Sequence, residues 1–167
     1  MSVQSPIRSS VLALTLTAAL APATALAAPA PHAVLVSVKT ATHPADASHP
    51  KPYDRIVFTF TGNLPTSWKL RKVDSIHQDG SGDEIKIEGK KKLHLNFLDT
   101  LGHSWETGEL TFKPSRKLVK LPNLQEYAFT GDHAAVTGFG LGLKKYTTVT
   151  STKLTGPNRV VVDIATS

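Results

Sequence analysis

The sequence predicts an all-β fold, an antiparallel sandwich of about eight short strands with at most one short helix. Three observations carry this. Apolar and polar residues alternate with a period of two through most of the chain after Tyr53. The alternating runs are short and separated by Gly, Pro, Asn or Lys. No segment shows convincing helical periodicity; Leu118 to Ala128 has room for one short helical turn. Short strands at close spacing with turn residues between them are the pattern of a two-layer β protein.

The elements follow in order. In "YDRIVFTF", Ile56, Phe58 and Phe60 share one face, and Tyr53, Arg55, Val57 and Thr59 the other. "GNLP" is a turn signal, and "SWKLRKV" then places Trp68 and Leu70 together. "EIKIEG" alternates through Ile85 and Ile87. In "KKKLHLNFL", Leu93, Leu95 and Phe97 point inward while Lys92, His94 and Asn96 point outward. After a long loop come "NLQEYAFT", "AAVTGFGLGL", "KYTTVTSTKL" and "NRVVVDIA". In the last, Val160, Val162 and Ile164 oppose Arg159, Val161 and Asp163, and the valine on the second face marks a strand covered on both sides. Arg55 and Asp163 sit opposite their strands' core residues and would pair if those strands are neighbours. Gly138, Gly140 and Gly142 leave one face flat, open to another backbone, a ligand or the facing sheet.

Residues 1–27 have the layout of a secretory signal peptide: Arg8, the uncharged apolar run Val11 to Ala21, the Pro22 break, and Ala25-Leu26-Ala27 as the cleavage pattern. The run is too short for a membrane span of ~20 residues, so no stable membrane insertion is expected. Cleavage after Ala27 leaves 140 residues. Residues 28–52 read as a flexible N-terminal segment in which "HAVLVSVK" has the makings of a short strand, with Val34, Val36 and Val38 on one face. Residues 53–167 form the domain proper. With no cysteine, it must be held by its core alone, and ~115 ordered residues suffice for that.

Removing Arg8 from the 19 basic residues leaves 18 against 13 acidic ones, a net +5 outside the cell. That balance suits anionic partners such as wall polymers, and equally suits plain solubility. The basic residues cluster at Lys90, Lys91 and Lys92, at Lys113, Arg116, Lys117 and Lys120, and at Lys144 and Lys145. Neither interleaved aromatics nor a recognition helix accompanies them, which excludes nucleic acid. Trp105, in "GHSWETGELTF", either stacks on a sugar ring or folds onto the core edge.

Catalytic and metal signatures fail one by one. Asp79, Ser81 and Asp83 copy the first ligands of a calcium loop, but Glu84 stands where glycine is needed and Lys90 where a bidentate Glu is needed. Gly80-Ser81-Gly82 reads instead as a turn. There is no nucleophile elbow and no His-Glu-x-x-His. His32, His43 and His49 match no zinc spacing. His103-Ser104 with Asp99 nearby holds the residue types of a hydrolase without their usual arrangement. No cofactor, metal or catalytic residue is assigned.

Taken together, "YDRIVFTFTGNLP", "DGSGDEIKIEG", His103, "EYAFTGDHAAVTGFGLGL" and "NRVVVDIA" resemble, in order and spacing, the AMIN-like domain of exported actinobacterial proteins, a relative of the AMIN modules of peptidoglycan amidases. The resemblance covers roughly Tyr53 to Ala165. Where the family usually has Phe-Arg-Val, this chain has Lys145-Tyr146-Thr147-Thr148-Val149. The resemblance implies a non-catalytic, secreted, cell-wall associated module binding peptidoglycan or an anionic wall polymer. Lys90, Lys91, Lys92, Trp105, Lys113, Arg116 and Lys117 are the candidate ligand contacts. An adaptor that binds an envelope protein through a sheet edge is the alternative, and an unrecognised hydrolase a lesser one.

Overall fold

The computed structural model describes Met1 and residues 32–167, so the expected signal peptide lies outside the described residues apart from Met1. Among the described residues ten strands run in chain order: β1 (Ala33–His43), β2 (Tyr53–Gly62), β3 (Ser67–Val73), β4 (Lys91–Leu98), β5 (Thr100–Leu101), β6 (Arg116–Leu118), β7 (Leu124–His133), β8 (Val136–Leu143), β9 (Val149–Leu154) and β10 (Asn158–Ala165). They form two five-stranded sheets, ordered β5-β1-β2-β10-β9 and β3-β4-β8-β7-β6. Every pairing is antiparallel except the short β1–β5 contact. The sandwich is as expected. The two strands beyond eight are the two-residue β5 and the three-residue β6, and residues 118–128 hold no helical turn: Leu118 ends β6, 119–123 form the connection, and 124–128 open β7.

Alternation decides which side chains fill the space between the layers. Ile56, Phe58 and Phe60 of β2, Leu93, Leu95 and Phe97 of β4, and Val160, Val162 and Ile164 of β10 are all buried there, as their period of two requires. Val161 is buried on the other face of β10, consistent with a strand flanked by β2 and β9. Arg55 lies opposite Asp163 in the β2–β10 ladder. It grips that carboxylate with Nε and Nη2 at 2.7 and 2.8 Å.

The sheet takes in more of the N-terminus than a start at Tyr53 allows. β1 pairs with β2 along its length, from Ala33↔Gly62 to His43↔Tyr53. Its register slips between Leu35 and Ser37. The extra residue puts Ala33, Leu35 and Val38 into the core, rather than Val34, Val36 and Val38. Residues 44–52 are tied down as well. Asp46 accepts hydrogen bonds from the Ser48 hydroxyl at 2.7 Å and the Tyr53 phenol at 2.9 Å. Ser48 first, then Tyr53 and His49, hold the Asp46 carboxyl well below the usual carboxylate range against its partial desolvation.

The flat glycine face is covered, and by neither a ligand nor the facing sheet. Residues 74–90, between β3 and β4, fold back as a strap over the outer side of β8. Ile76, Ile87 and Ala128 form a second small core there. A Cβ at Gly140 would meet Ile76, and one at Gly142 would stand 1.8 Å from the Glu88 carbonyl oxygen. "EIKIEG" is therefore strap rather than ladder strand. Its alternation arises because Ile87 packs on the sheet while its neighbours face solvent. The strap turns at Gly80 and Gly82, which take φ of +88° and +75°, inside the His77↔Glu84 bridge. The turn reading of this stretch holds. Gly142→Ala drives a methyl into backbone that cannot rotate away, and should cost about 2–3 kcal/mol. The check is a urea midpoint together with amide exchange across 76–88. An unchanged midpoint with a protected strap would mean that this contact is not what seats it.

Candidate functional site

The candidate contacts read from the sequence do not form one patch. Lys90 is exposed just ahead of β4. Alternation sends Lys91 and Lys92 to opposite faces of that strand. Lys91 and Lys72 of β3 both pack against the Tyr146 ring, their ammonium groups 5.4 and 4.7 Å from its centroid. Lys113 and Lys117 are exposed, but Lys117 sits on β6, separated from β4 by β7 and β8. Arg116 is already engaged: its Nε meets Glu126 Oε1 at 2.5 Å and its Nη2 the Lys86 carbonyl at 2.6 Å. Burial opposes charge on Glu126, yet Arg116 and the Glu88 N–H outweigh it and hold the carboxyl below its ordinary value. This clasp anchors the end of the strap and is structural.

Trp105 occupies a third place, at the opposite end of the sandwich from Lys90–Lys92. It is 81% exposed, so the ring does not fold onto the core edge. It rides on a hairpin closed by the His103↔Leu110 bridge. His103 Nδ1 donates to Asp132 Oδ2 at 2.6 Å, and the Gly102 N–H reaches the same oxygen. The His103 ring stacks beside Trp105 at 6.3 Å. The hydrolase grouping does not assemble. Asp99 pairs with His32 instead of His103, and Ser104 Oγ accepts the N–H groups of Glu106 and Thr107 within its own turn.

The N-terminal histidines are likewise structural. His43 and His49 both stack on Tyr53, and His49 bridges Asp46 and Asp163, each at 3.1 Å. Among the described residues, no group of three or more His, Cys, Asp or Glu side chains is placed to hold a metal ion.

The most distinctive surface is one the sequence reading passed over. β3 and β9 are the edge strands of their sheets on the same side of the sandwich, and the layers are not closed over there. Trp68 of β3 reaches across, its indole Nε1–H donating to Ser151 Oγ of β9 at 2.9 Å. On one side of this bridge lies a hollow of about 420 Å³ with Leu70, Leu93 and Val149 at its floor and Lys72 at its rim. On the other lies one of about 450 Å³ with Pro65, Ser67, Thr152 and Lys153. No Asp or Glu lines either hollow. Trp68 and Leu70 carry the same alternation as core residues, so period alone marks them as filling. Only the strand order exposes them.

The described sandwich thus engages His49, His103, Ser104, Glu126 and Asp132 in turns and clasps and carries a groove along one side. The family model of the AMIN-like domain matches residues 33–166, and the chain belongs to that family. The match begins at the first residue of β1, so the family domain and the observed sandwich coincide. No curated protein and no solved structure matches the chain. AMIN-like domains are non-catalytic modules related to peptidoglycan-associated proteins, and they occur in exported proteins. Among the described residues, no helix is long and apolar enough to cross a membrane.

Proposed function

We propose that this chain is an exported, non-enzymatic module of the cell envelope that binds peptidoglycan or an anionic polymer associated with it. The observation that carries the reading is the groove between β3 and β9. It combines an indole, apolar floor residues, hydroxyl walls and lysines with no acidic lining. Family membership and the net positive charge support the same direction. No cofactor or metal enters this function.

Exposed ion pairs are each weak and are screened beyond ~8 Å at physiological salt. Retention on purified sacculi is therefore expected at low salt, falling steadily as sodium chloride is raised. Co-sedimentation of the chain with sacculi, with and without their anionic polymers, is the measurement. Absence of retention on either material at low salt would defeat the reading. The second reading, an adaptor for an envelope protein, has its own support: β3 and β9 each present an unpaired edge to which an extended segment can add. An adaptor would be captured by an envelope protein and ignored by sacculi.

A further inference from the structure

We propose that the groove between β3 and β9 is the binding site for a linear acidic saccharide, with sugar rings seated on both sides of the Trp68 indole. The proposal rests on the wall-binding reading and assigns it to a place and a ligand chemistry.

The geometry comes first. A tryptophan on a free edge strand would ordinarily turn with its strand, but here Ser151 pins the indole nitrogen. The ring is thus a fixed partition between two hollows, both of which it lines. Each hollow falls in the usual size range of small-ligand sites, about 300–1,000 Å³. Each is open, so a polymer can run through the pair without a chain end.

The lining matches a sugar. A pyranose has an apolar C–H face that packs on an aromatic plane and a rim of hydroxyls that needs hydrogen-bonding partners. Past the indole, the first hollow supplies Leu70 and Val149 as apolar surface and Thr150 as a hydroxyl partner. The second supplies Thr66, Ser67 and Thr152.

Charge then narrows the saccharide. Lys72 stands at one end of the groove and Lys153 at the other, with no carboxylate between them to neutralise either. Lys72 and Lys91 both pack against the Tyr146 ring, and its phenol is tied to the Lys92 carbonyl at 3.2 Å. A lysine at each end of a groove that no carboxylate lines favours a ligand that brings its own anions. Counting strand rise from Lys72 to Trp68 and from Ser151 to Lys153, the cationic ends lie on the order of 20 Å apart. A neutral glycan leaves both ends unused. An extended peptide is a poorer fit, because a strand adding to either edge is held by backbone hydrogen bonds and leaves the indole face and the hydroxyls of both hollows unused.

The test uses an isotope-labelled chain and a soluble peptidoglycan tetrasaccharide that keeps its lactyl carboxylates. The chain has two tryptophans, and Trp105→Phe assigns their indole N–H signals. The Trp68 signal is expected to move and saturate on titration while that of Trp105 stays. Lys72→Glu combined with Lys153→Glu, both exposed and not expected to unfold the chain, should weaken binding about tenfold. Neutral chitotetraose should bind several-fold more weakly than the acidic tetrasaccharide. A stationary Trp68 signal in a chain that still sediments with sacculi would overturn the groove and leave wall binding standing. A moving Trp68 signal without sacculus retention would support the groove while defeating the wall reading. If both fail, both fall. Movement with polyglycerol phosphate or an acidic peptide, and none with the saccharide, would overturn the ligand class.

Discussion

Replacing Asp54 by alanine is expected to lower the free energy of unfolding by about 3–5 kcal/mol. Asp54 lies on β2 and is fully buried. One of its oxygens accepts the backbone N–H groups of Asn123 and Leu124, at 2.6 and 2.8 Å. The other accepts the Thr42 hydroxyl at 2.7 Å. Leu124 opens β7 in the opposite sheet, so the carboxylate joins the two layers at one end. Asn123 continues the join: its amide nitrogen donates to the Thr147 hydroxyl and the Ala165 carbonyl, and its oxygen accepts the Lys145 N–H. Truncation leaves two buried N–H groups with no acceptor, each costing about 1–3 kcal/mol, and opens space beside them. Asp54→Asn keeps one carbonyl oxygen for the two N–H groups and offers an N–H to Thr42, so it should recover roughly half of the loss. Urea midpoints of the two variants decide the matter. Equal midpoints for Asp54→Ala and the parent would show that water enters freely and that the carboxylate does not join the layers.

That clamp shows where sequence reading stops. The period of two in β2, β4 and β10 exposes the core face directly, because a residue's side of a sheet is a local property. Asp54 sits on the core side of "YDRIVFTF" beside Ile56 and Phe58, and nothing local says which donors repay its burial. They lie about seventy residues on. The Arg55–Asp163 pair was legible because both residues stand on the outer faces of clear strands and need only a shared ladder to meet.

The misreadings have physical causes too. A bulge reverses the alternation within β1 and hid the length of a strand that the core needs. The strap at 74–90 alternates because it packs one face on glycines, which period cannot distinguish from pairing in a ladder. For the candidate site, the lysine runs were visible as composition, but strand direction scatters them. Lys91 turns toward Tyr146, and Arg116 is taken by Glu126. Trp68 looked like core because its strand has an inward face. That this face opens to solvent follows from β3 and β9 being edges on one side, a property of the whole sandwich.

Phe58→Ala should match the Asp54 loss, at about 3–5 kcal/mol, through a different mechanism. The Phe58 ring is fully buried at the middle of β2. It meets two rings of the other sheet edge-on, Phe97 at 4.9 Å and Phe139 at 5.0 Å between centroids. Phe139 in turn touches Phe112, Tyr127 and Phe129. Phe58 is therefore the main ring through which the first sheet joins an aromatic cluster rooted in the second. Truncation removes its burial and both edge-to-face contacts, and leaves a cavity that strands pinned in their ladders cannot close. With no cysteine in the chain, no disulfide restrains the unfolded state to offset the loss. Because the groove residues lie on β3, β4 and β9 and their flanks, saccharide affinity measured well below the melting range should be retained. Calorimetric Tm and urea midpoint measure the first part, and titration of the Trp68 signal the second. A midpoint that does not move would mean that the two sheets meet through some other part of the core.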